Sequence, residues 1–306
     1  MEIFEKYFPT LSKEVIKIEL KYVVNSNENG KILKDILKNK LHISARLLIK
    51  LKTSDCIFVN GESKFVNHIV KENDIVTVLI DFEEEDFIDA EEMNLDIIYE
   101  DEYLLVVNKP AGIVVHPSSY HLNNTLANGV KCYLNNKKKI RPINRLDRDT
   151  SGIVMFAKNE YVQECFQNKA DYKKEYLAIV NGIIKEDRGT INKPIARKPN
   201  SIMEREVNYE DGQIAITHYN VLKRFNEEGY TLVHVELETG RTHQIRVHFK
   251  SEGHILLGDD LYGAPSELIN RQALHAWKIS FIHPITKEEI KLEANVPEDI
   301  KNIIEK

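Results

Sequence analysis

An acidic side chain between two arginines is the feature of this sequence best suited to chemistry. Asp147 lies between Arg145 and Arg148 and is followed by Thr150-Ser151-Gly152. The apolar run 153–157 predicts a buried strand, so the polar loop before it would hold its side chains over a rigid support. The two guanidinium groups would favour the ionised carboxylate and could also bind phosphate. The alternative is a plain turn, in which Asp147 and Ser151 bond their own backbone.

A second cluster lies in residues 239–249, Thr-Gly-Arg-Thr-His-Gln-Ile-Arg-Val-His-Phe, which are predicted to be helical. On a helix, Thr242 and Arg246 share one face because they are four residues apart. An arginine near the buried side of a helix needs an anionic partner, and Asp147 is the obvious candidate.

Other chemistries fit these clusters less well. His243 and His248 are five residues apart, about 140° around a helix, whereas helical metal ligands pair at a spacing of four. No other His, Cys or acidic residue completes a ligand set, so no metal is expected. Ser151 lies in Thr-Ser-Gly and not in a Gly-x-Ser-x-Gly elbow, which makes a hydrolase a minor alternative. No glycine-rich phosphate loop occurs, so no nucleotide cofactor is implied.

The composition is that of a soluble globular protein, with 42% apolar and 29% charged residues in 306. No signal peptide or membrane-spanning run is visible, and three isolated cysteines suit reduced thiols, so we expect a cytoplasmic protein. The net charge of −6 does not exclude nucleic acid, because residues 81–102 contain twelve acidic residues and no Lys or Arg. The parts of the chain on either side are each mildly basic, which leaves room for basic patches.

Two domains are predicted to position these residues. Residues 15–80 suggest two short helices, the second capped by Ser44, beside a small sheet with an Asn60-Gly61 hairpin turn. Residues 81–94 form an acidic linker. Residues 95–306 are denser in strands, and within them Tyr176 shares a strand face with small residues, which leaves space for a flat ligand. The predicted elements are strands in 17–24, 57–61, 75–80, 95–110, 153–157, 173–182, 214–225, 231–238 and 276–282, and helices in 32–41, 44–51, 125–134, 160–169 and after Pro297.

The N-terminal pattern resembles the small RNA-binding domain named after ribosomal protein S-four. The matching segments are Ile43-Ser44-Ala45-Arg46, Val59-Asn60-Gly61 and Val70-Lys-Glu-Asn-Asp-Ile-Val76. The first helix departs from that family, with Ile32-Leu33-Lys34 in place of Arg-Leu-Asp. The resemblance implies RNA contacts at Ser44, Arg46 and Lys50.

Four ordered blocks, within a resemblance that covers nearly all of 15–306, are similar to RluA-type pseudouridine synthases, closest to the RluD-like subgroup. They are Val106-Val-Asn-Lys-Pro-Ala-Gly-Ile113, Asn144-Arg-Leu-Asp-Arg-Asp-Thr-Ser-Gly152, Lys174-Glu-Tyr-Leu-Ala-Ile-Val180 and Thr239-Gly-Arg-Thr-His-Gln-Ile-Arg-Val-His248. The resemblance implies an α+β chain whose catalytic domain has a central mixed, mainly antiparallel sheet. It also implies isomerisation of uridine in structured RNA, without cofactor or metal.

Site residues are carried over from the family by position. Asp147 matches the nucleophile, with attack on the ring, attack on the sugar or a glycal route all open. Tyr176 matches the tyrosine that stacks on the base, and Arg246 the arginine that pairs with the aspartate. Arg145 would fill the gap left by a flipped uridine. Arg148 and Arg241 are further expected RNA contacts.

The sequence leaves the target RNA open. Large-subunit ribosomal RNA is expected, with transfer RNA as an alternative. A non-catalytic RNA-binding assembly factor is another alternative, against which the retention of Asp147, Tyr176 and Arg246 argues. Many members of the family have histidine where this sequence has Asn144. The position lies outside the proposed chemistry, so this departure bears on RNA contact and not on activity. We expect a monomer that does not associate with membranes.

Overall fold

The computed structural model describes residues 18–80, 87–118, 122–135, 139–168 and 172–305. Contacts divide the chain into two compact units, Met1–Glu85 with Asn159–Asn168, and Asp86–Lys158 with Lys169–Lys306. Part of the predicted acidic linker (81–86) and part of a basic run (137–138 of 137–139) lie outside the described residues. The elements are β1 Ile18–Val23, α1 Leu33–Asn39, α2 Ala45–Thr53, β2 Ile57–Val59, β3 Glu62–Ser63, β4 Ile75–Ile80, β5 Asp96–Glu100, β6 Leu104–Lys109, α3 Leu126–Tyr133, β7 Arg141–Pro142, β8 Ser151–Ala157, α4 Glu160–Asn168, β9 Tyr172–Asn181, β10 Arg188–Asn192, β11 Ile195–Arg197, β12 Arg205–Val207, β13 Ile216–Phe225, β14 Tyr230–Leu237, α5 Gln244–Ser251, β15 Leu274–Ile282, β16 Glu289–Glu293 and α6 Glu298–Ile304, with a 3-10 helix at Ser26–Glu28.

The first unit contains an antiparallel sheet in the order β1-β4-β2-β3 together with α1, α2 and α4. Asn60 and Gly61 both have positive φ, 51° and 83°, as the predicted hairpin turn requires. The Ser44 hydroxyl accepts a hydrogen bond from the Leu47 amide and caps α2, which confirms the predicted start of this helix. Leu47 and Leu51 of α2 are buried, as the helical spacing indicates.

The second unit is built on a ten-stranded sheet. The order is β10-β13-β14-β9-β15-β8-β6-β5, with β16 paired to β15 and β7 to β8. All pairings are antiparallel except that of β8 with β15. The predicted mixed, mainly antiparallel sheet of an α+β chain is therefore confirmed. In this unit the sequence did not predict β7, β10, β11, β12 and β16, which are short strands or lie beyond the strong apolar runs.

Gly152 allows β8 and β15 to meet directly behind the polar loop. Its φ is 112°, and a Cβ at this position would lie 2.2 Å from the carbonyl oxygen of Ala276. Only glycine fits such an approach without displacing the neighbouring backbone. The loop 143–150 therefore enters a strand fixed by a partner on each side.

Helices cover the sheet through separate apolar clusters. Ile245 and Phe249 of α5 pack against β9 and β14, and α3 packs against β6 and β8. Pro297 precedes α6, as predicted, and Ile300 and Ile303 are buried against β14. Among the described residues, no helix combines the length and apolar character needed to cross a membrane.

Candidate active site

A buried lysine holds the loop that carries Asp147 through hydrogen bonds to backbone carbonyl oxygens. Lys109, at the end of β6, has a fully buried side chain, and its Nζ donates to the carbonyl oxygens of Pro110, Ile113 and Arg148 at 2.8, 2.9 and 2.8 Å. Burial lowers the pKa of Lys109 to about 7, while three carbonyl acceptors match the three N–H bonds of an ammonium group. Lys109 lies in the first of the four family-like blocks, but no role was predicted for it. Its role here is to fix the backbone next to Asp147.

A second buried cation holds the other end of the loop. Arg271 donates from Nη1 to the carbonyl oxygen of Asp149 at 3.0 Å, and its Nε and Nη2 bind the Asp299 carboxylate at 2.7 and 2.9 Å. The Gln272 amide donates to the Thr150 hydroxyl at 3.1 Å. The loop is thus tied on both sides of Asp147, which satisfies the requirement that a catalytic side chain be preorganised.

Arg246 connects Asp147 to a second acid that the sequence did not identify. Its Nη1 lies 3.2 Å from Oδ2 of Asp147, as predicted, but its Nε and Nη2 each lie 2.7 Å from the carboxylate of Asp259. Burial by itself would lower the pKa of Arg246, but the two carboxylates, Asp259 foremost, raise it. The bidentate pair fixes the plane of the guanidinium group and leaves Nη1 for Asp147.

The two oxygens of Asp147 differ in their surroundings. Oδ2 faces Arg246 and, at 3.7 Å, Nε2 of His243. Oδ1 accepts no hydrogen bond from the described residues. The side chain is 26% exposed, so a partly accessible carboxylate combines one anchored oxygen with one that has no partner among the described residues.

Tyr176 lies in the apolar cluster beside this carboxylate. Its ring is 8% exposed and packs with Ile245 and Leu237, and Leu146 packs against the same cluster. Its hydroxyl forms no hydrogen bond with the described residues. Burial, with a smaller effect of the Asp147 charge, raises the pKa of Tyr176, so the side chain is a neutral phenol at physiological pH.

The helix in this region starts later than predicted. Residues 239–243 are not helical, and α5 begins at Gln244 after His243, whose φ of 57° is left-handed. Thr242 therefore does not share a helix face with Arg246, and that expectation is wrong. The Gln244 side chain explains the turn, because its Oε1 accepts from the Arg241 amide and the Thr239 hydroxyl at 2.9 and 2.8 Å.

Ser151 has a histidine partner but is not an exposed nucleophile. Its hydroxyl lies 3.0 Å from Nδ1 of His275, and both side chains are buried. Burial lowers the pKa of His275 to about 4, and its Nε2 faces the Ala294 carbonyl oxygen and not a carboxylate. The pair lacks the exposed nucleophile and orienting acid of a hydrolase. Within the described ranges, no group of three or more His, Cys, Asp or Glu could hold a metal ion.

The three arginines expected to contact RNA lie at the surface of the second unit. Arg145 is exposed and forms no hydrogen bond or ion pair with the described residues. Arg148 pairs with Asp149 at 3.0 Å, and Nε of Arg241 donates to the Ile214 carbonyl oxygen at 3.0 Å. The Asn144 side chain bonds the backbone of β8, donating to the Ile153 carbonyl oxygen and accepting from the Met155 amide.

The expected contacts of the first unit already have acidic partners from α4. The Ser44 hydroxyl donates to Oε1 of Glu164 at 2.6 Å, and Nζ of Lys50 lies 2.5 Å from Oε2 of Glu160. Arg46 lies 3.5 Å from the same carboxylate. Glu160 and Glu164 are one helical turn apart and face α2 together.

Comparison with known proteins shows the family to which this chain is similar. The family described as RNA pseudouridylate synthase matches residues 103–251, which include Asp147, Tyr176 and Arg246. The uncharacterized RNA pseudouridine synthase YhcT of Bacillus subtilis is 41% identical over 290 residues, covering 93% of this chain and 96% of the relative.

Two further similarities come from more distant proteins. The ribosomal large subunit pseudouridine synthase D of Neisseria meningitidis is 39% identical over 232 residues, covering 70% of this chain and 61% of the relative. Among solved structures, human RNA Pseudouridylate Synthase Domain Containing 1 superposes with a TM-score of 0.56 at 28% identity, covering 67% of this chain and 84% of that one.

Proposed function

This chain belongs to the RNA pseudouridylate synthase family and is an RNA pseudouridine synthase, an isomerase, and we propose that it modifies specific uridines of large-subunit ribosomal RNA with Asp147 as nucleophile. The observation that carries the proposal is the asymmetric carboxylate of Asp147, with Oδ2 bound to Arg246 at 3.2 Å and Oδ1 open. A carboxylate that is held by one oxygen in a site partly shielded from solvent can attack with its other oxygen. The name of the Neisseria relative supports the choice of large-subunit RNA.

The reaction needs no co-reactant. The bond between N1 of the base and C1′ of the sugar breaks, a bond from C5 to C1′ forms, the C5 proton leaves and N1 gains a proton. Asp147 can start this sequence by attack on the ring, by attack on the sugar or through a glycal. In each route Arg246 keeps the carboxylate charged and oriented, since its own position is fixed by Asp259.

Uridine must leave its stack to reach Asp147, because the loop lies at the surface and the target atoms are otherwise enclosed by neighbouring bases. Arg145 fills the gap in this proposal. Its exposure, its position two residues from Asp147 and its lack of a partner among the described residues support this role. Tyr176 offers the ring on which the flipped base stacks. Arg148 and Arg241 then contact neighbouring phosphates.

The first unit serves in this proposal as an RNA-binding domain of the S-four type, with its face at Ser44, Arg46 and Lys50. The helices α1 and α2 beside a small antiparallel sheet support that assignment. The protein acts as a monomer in the cytoplasm.

Mapping pseudouridine chemically in total RNA tests the proposal. We compare cells with the wild-type gene, with its deletion, with Asp147→Asn and with Asp260→Asn, an exposed carboxylate of the same unit, as the matched control. We expect the same uridines of large-subunit RNA to lose the modification in the deletion and in Asp147→Asn only. Loss in the deletion but not in Asp147→Asn would disprove the nucleophile assignment, and loss confined to transfer RNA would disprove the target.

A further inference from the structure

A histidine and a tyrosine with no role so far form a chain of hydrogen bonds that leads to Asp147. The Arg205 amide, at the start of β12, donates to the hydroxyl oxygen of Tyr262 at 2.8 Å. The same hydroxyl lies 2.8 Å from Nδ1 of His243, and Nε2 of His243 lies 3.7 Å from Oδ2 of Asp147. A backbone amide, a phenol, an imidazole and the proposed nucleophile are thus connected in order.

The direction of these bonds determines where the imidazole carries its proton. The Tyr262 oxygen accepts from the Arg205 amide, so its own O–H is left to donate, and Nδ1 of His243 is its only acceptor among the described residues. In a neutral imidazole an accepting Nδ1 leaves the proton on Nε2. That nitrogen is the one that faces Asp147, so His243 presents an N–H to the carboxylate.

Building on the proposed function, we propose that His243 is a positioning residue for Asp147. When uridine fills the site, Nε2–H closes on Oδ2 from 3.7 Å to hydrogen-bond distance, as catalytic contacts commonly tighten in the substrate complex. Arg246 and His243 then hold the same oxygen from two directions. Oδ1 is directed at the substrate, and Tyr262 keeps His243 in the tautomer that makes this possible.

The charges around His243 favour its neutral form. The groups that face it are Asp147 and Asp259 and, of opposite sign, Arg246 and Arg205, with the neutral phenol of Tyr262. Burial, with help from the two arginines, lowers the pKa of His243, and the carboxylates oppose this only in part.

Two amide replacements separate positioning from folding. Gln places an N–H near the position of Nε2 and Asn places one near Nδ1, whereas Asn tolerates a left-handed backbone better than Gln. A purely structural role predicts that His243→Asn is at least as stable and as active as His243→Gln. Positioning predicts the opposite order in activity, with His243→Gln close to wild type and His243→Asn lower in kcat by about 10- to 100-fold at unchanged KM.

The assay uses purified full-length variants and large-subunit ribosomal RNA from cells that lack the gene, and measures pseudouridine formation and thermal stability. Tyr262→Phe removes the hydroxyl that fixes the tautomer of His243, so we expect a loss in kcat between those of His243→Gln and His243→Asn. The control is His248→Gln, since His248 is buried in α5, the helix that begins directly after His243, but bonds Thr217 and the Lys193 carbonyl oxygen, and we expect it to retain kcat. Equal kcat for the Asn and Gln variants, or higher kcat for Asn, would overturn the inference. If the wild-type protein is inactive on this RNA, the proposed target RNA is wrong. If Asp147→Asn still forms pseudouridine, the proposed nucleophile is wrong.

Discussion

Replacing Asp259 by asparagine tests whether the buried acid, and not Asp147, holds Arg246 in place. Asp259 is fully buried, and the Arg246 side chain is 6% exposed. The two form a bidentate pair at 2.7 Å, and the Asp259 carboxylate also accepts from the Tyr262 amide at 3.1 Å. Asparagine keeps one acceptor oxygen but turns an NH₂ group towards a guanidinium group that has only donors.

The expected cost follows from the burial. Removing one partner of a buried pair usually destabilises by about 3–5 kcal/mol, because the remaining charge has lost its compensation. Asp147 still pairs with Arg246 at 3.2 Å, so we expect the lower end, about 3 kcal/mol. Arg246 should also turn towards Asp147 and bind both of its oxygens, which would lower kcat because Oδ1 is no longer open.

Urea unfolding and pseudouridine formation are measured on the same protein preparations. The control is Asp260→Asn, which makes the same chemical change at the next residue, where the side chain is exposed, and should change stability by less than about 0.5 kcal/mol. If Asp259→Asn is no less stable than Asp260→Asn, Asp259 does not anchor Arg246. The double variant Arg246→Met/Asp259→Leu should recover stability relative to Asp259→Asn, because neither charge of the buried pair remains, while activity stays lost.

Two further outcomes concern the strands behind the loop. Burial lowers the pKa of His275 to about 4, so below its unfolded pKa of about 6.5 the unfolded state binds a proton that the folded state does not. Stability is therefore lost as the pH falls, and in urea unfolding at pH 7 and pH 5 the wild type should lose about 2 kcal/mol more than His275→Gln. An equal loss in both would show that His275 does not control this acid sensitivity. Gly152→Ala places a Cβ 2.2 Å from the Ala276 carbonyl oxygen and should cost at least about 3 kcal/mol. Gly229→Ala, with positive φ but nothing within 4 Å, should cost about 1 kcal/mol in the same assay, and similar losses in the two variants would show that the contact with Ala276 relaxes.

The features that were predicted correctly from the sequence are those that a few neighbouring residues determine. The cap of α2 at Ser44, the turn at Asn60 and the buried β8 each depend on a few neighbouring residues and the alternation or spacing around them. The pairing of Arg246 with Asp147 was also predicted, because a buried arginine requires an acid and few acids lie in comparable motifs.

The site residues that were not predicted are those whose roles depend on partners far away in the sequence. Asp259 comes thirteen residues after Arg246 in a segment without periodicity, and its role is defined only when the chain folds back on α5. Gly258, the preceding residue, has φ 72°, and a Cβ there would clash with the Ile269 carbonyl oxygen, so the structure explains this glycine as one that lets the backbone approach closely. The sequence has no signal for Lys109, because a lysine at the end of a strand is usually exposed.

The first unit shows why residue type alone does not rank RNA contacts. Ser44, Arg46 and Lys50 look equivalent as phosphate ligands in the sequence, but α4 brings two glutamates to the same face. In the proposed RNA contact, a phosphate would have to displace Glu164 from Ser44 and Glu160 from Lys50, and both glutamates are largely buried. Arg46 is 74% exposed and only 3.5 Å from its acid, a geometry in which an ion pair is weak. Of the three, Arg46 is therefore the side chain that a phosphate reaches at the lowest cost in free energy.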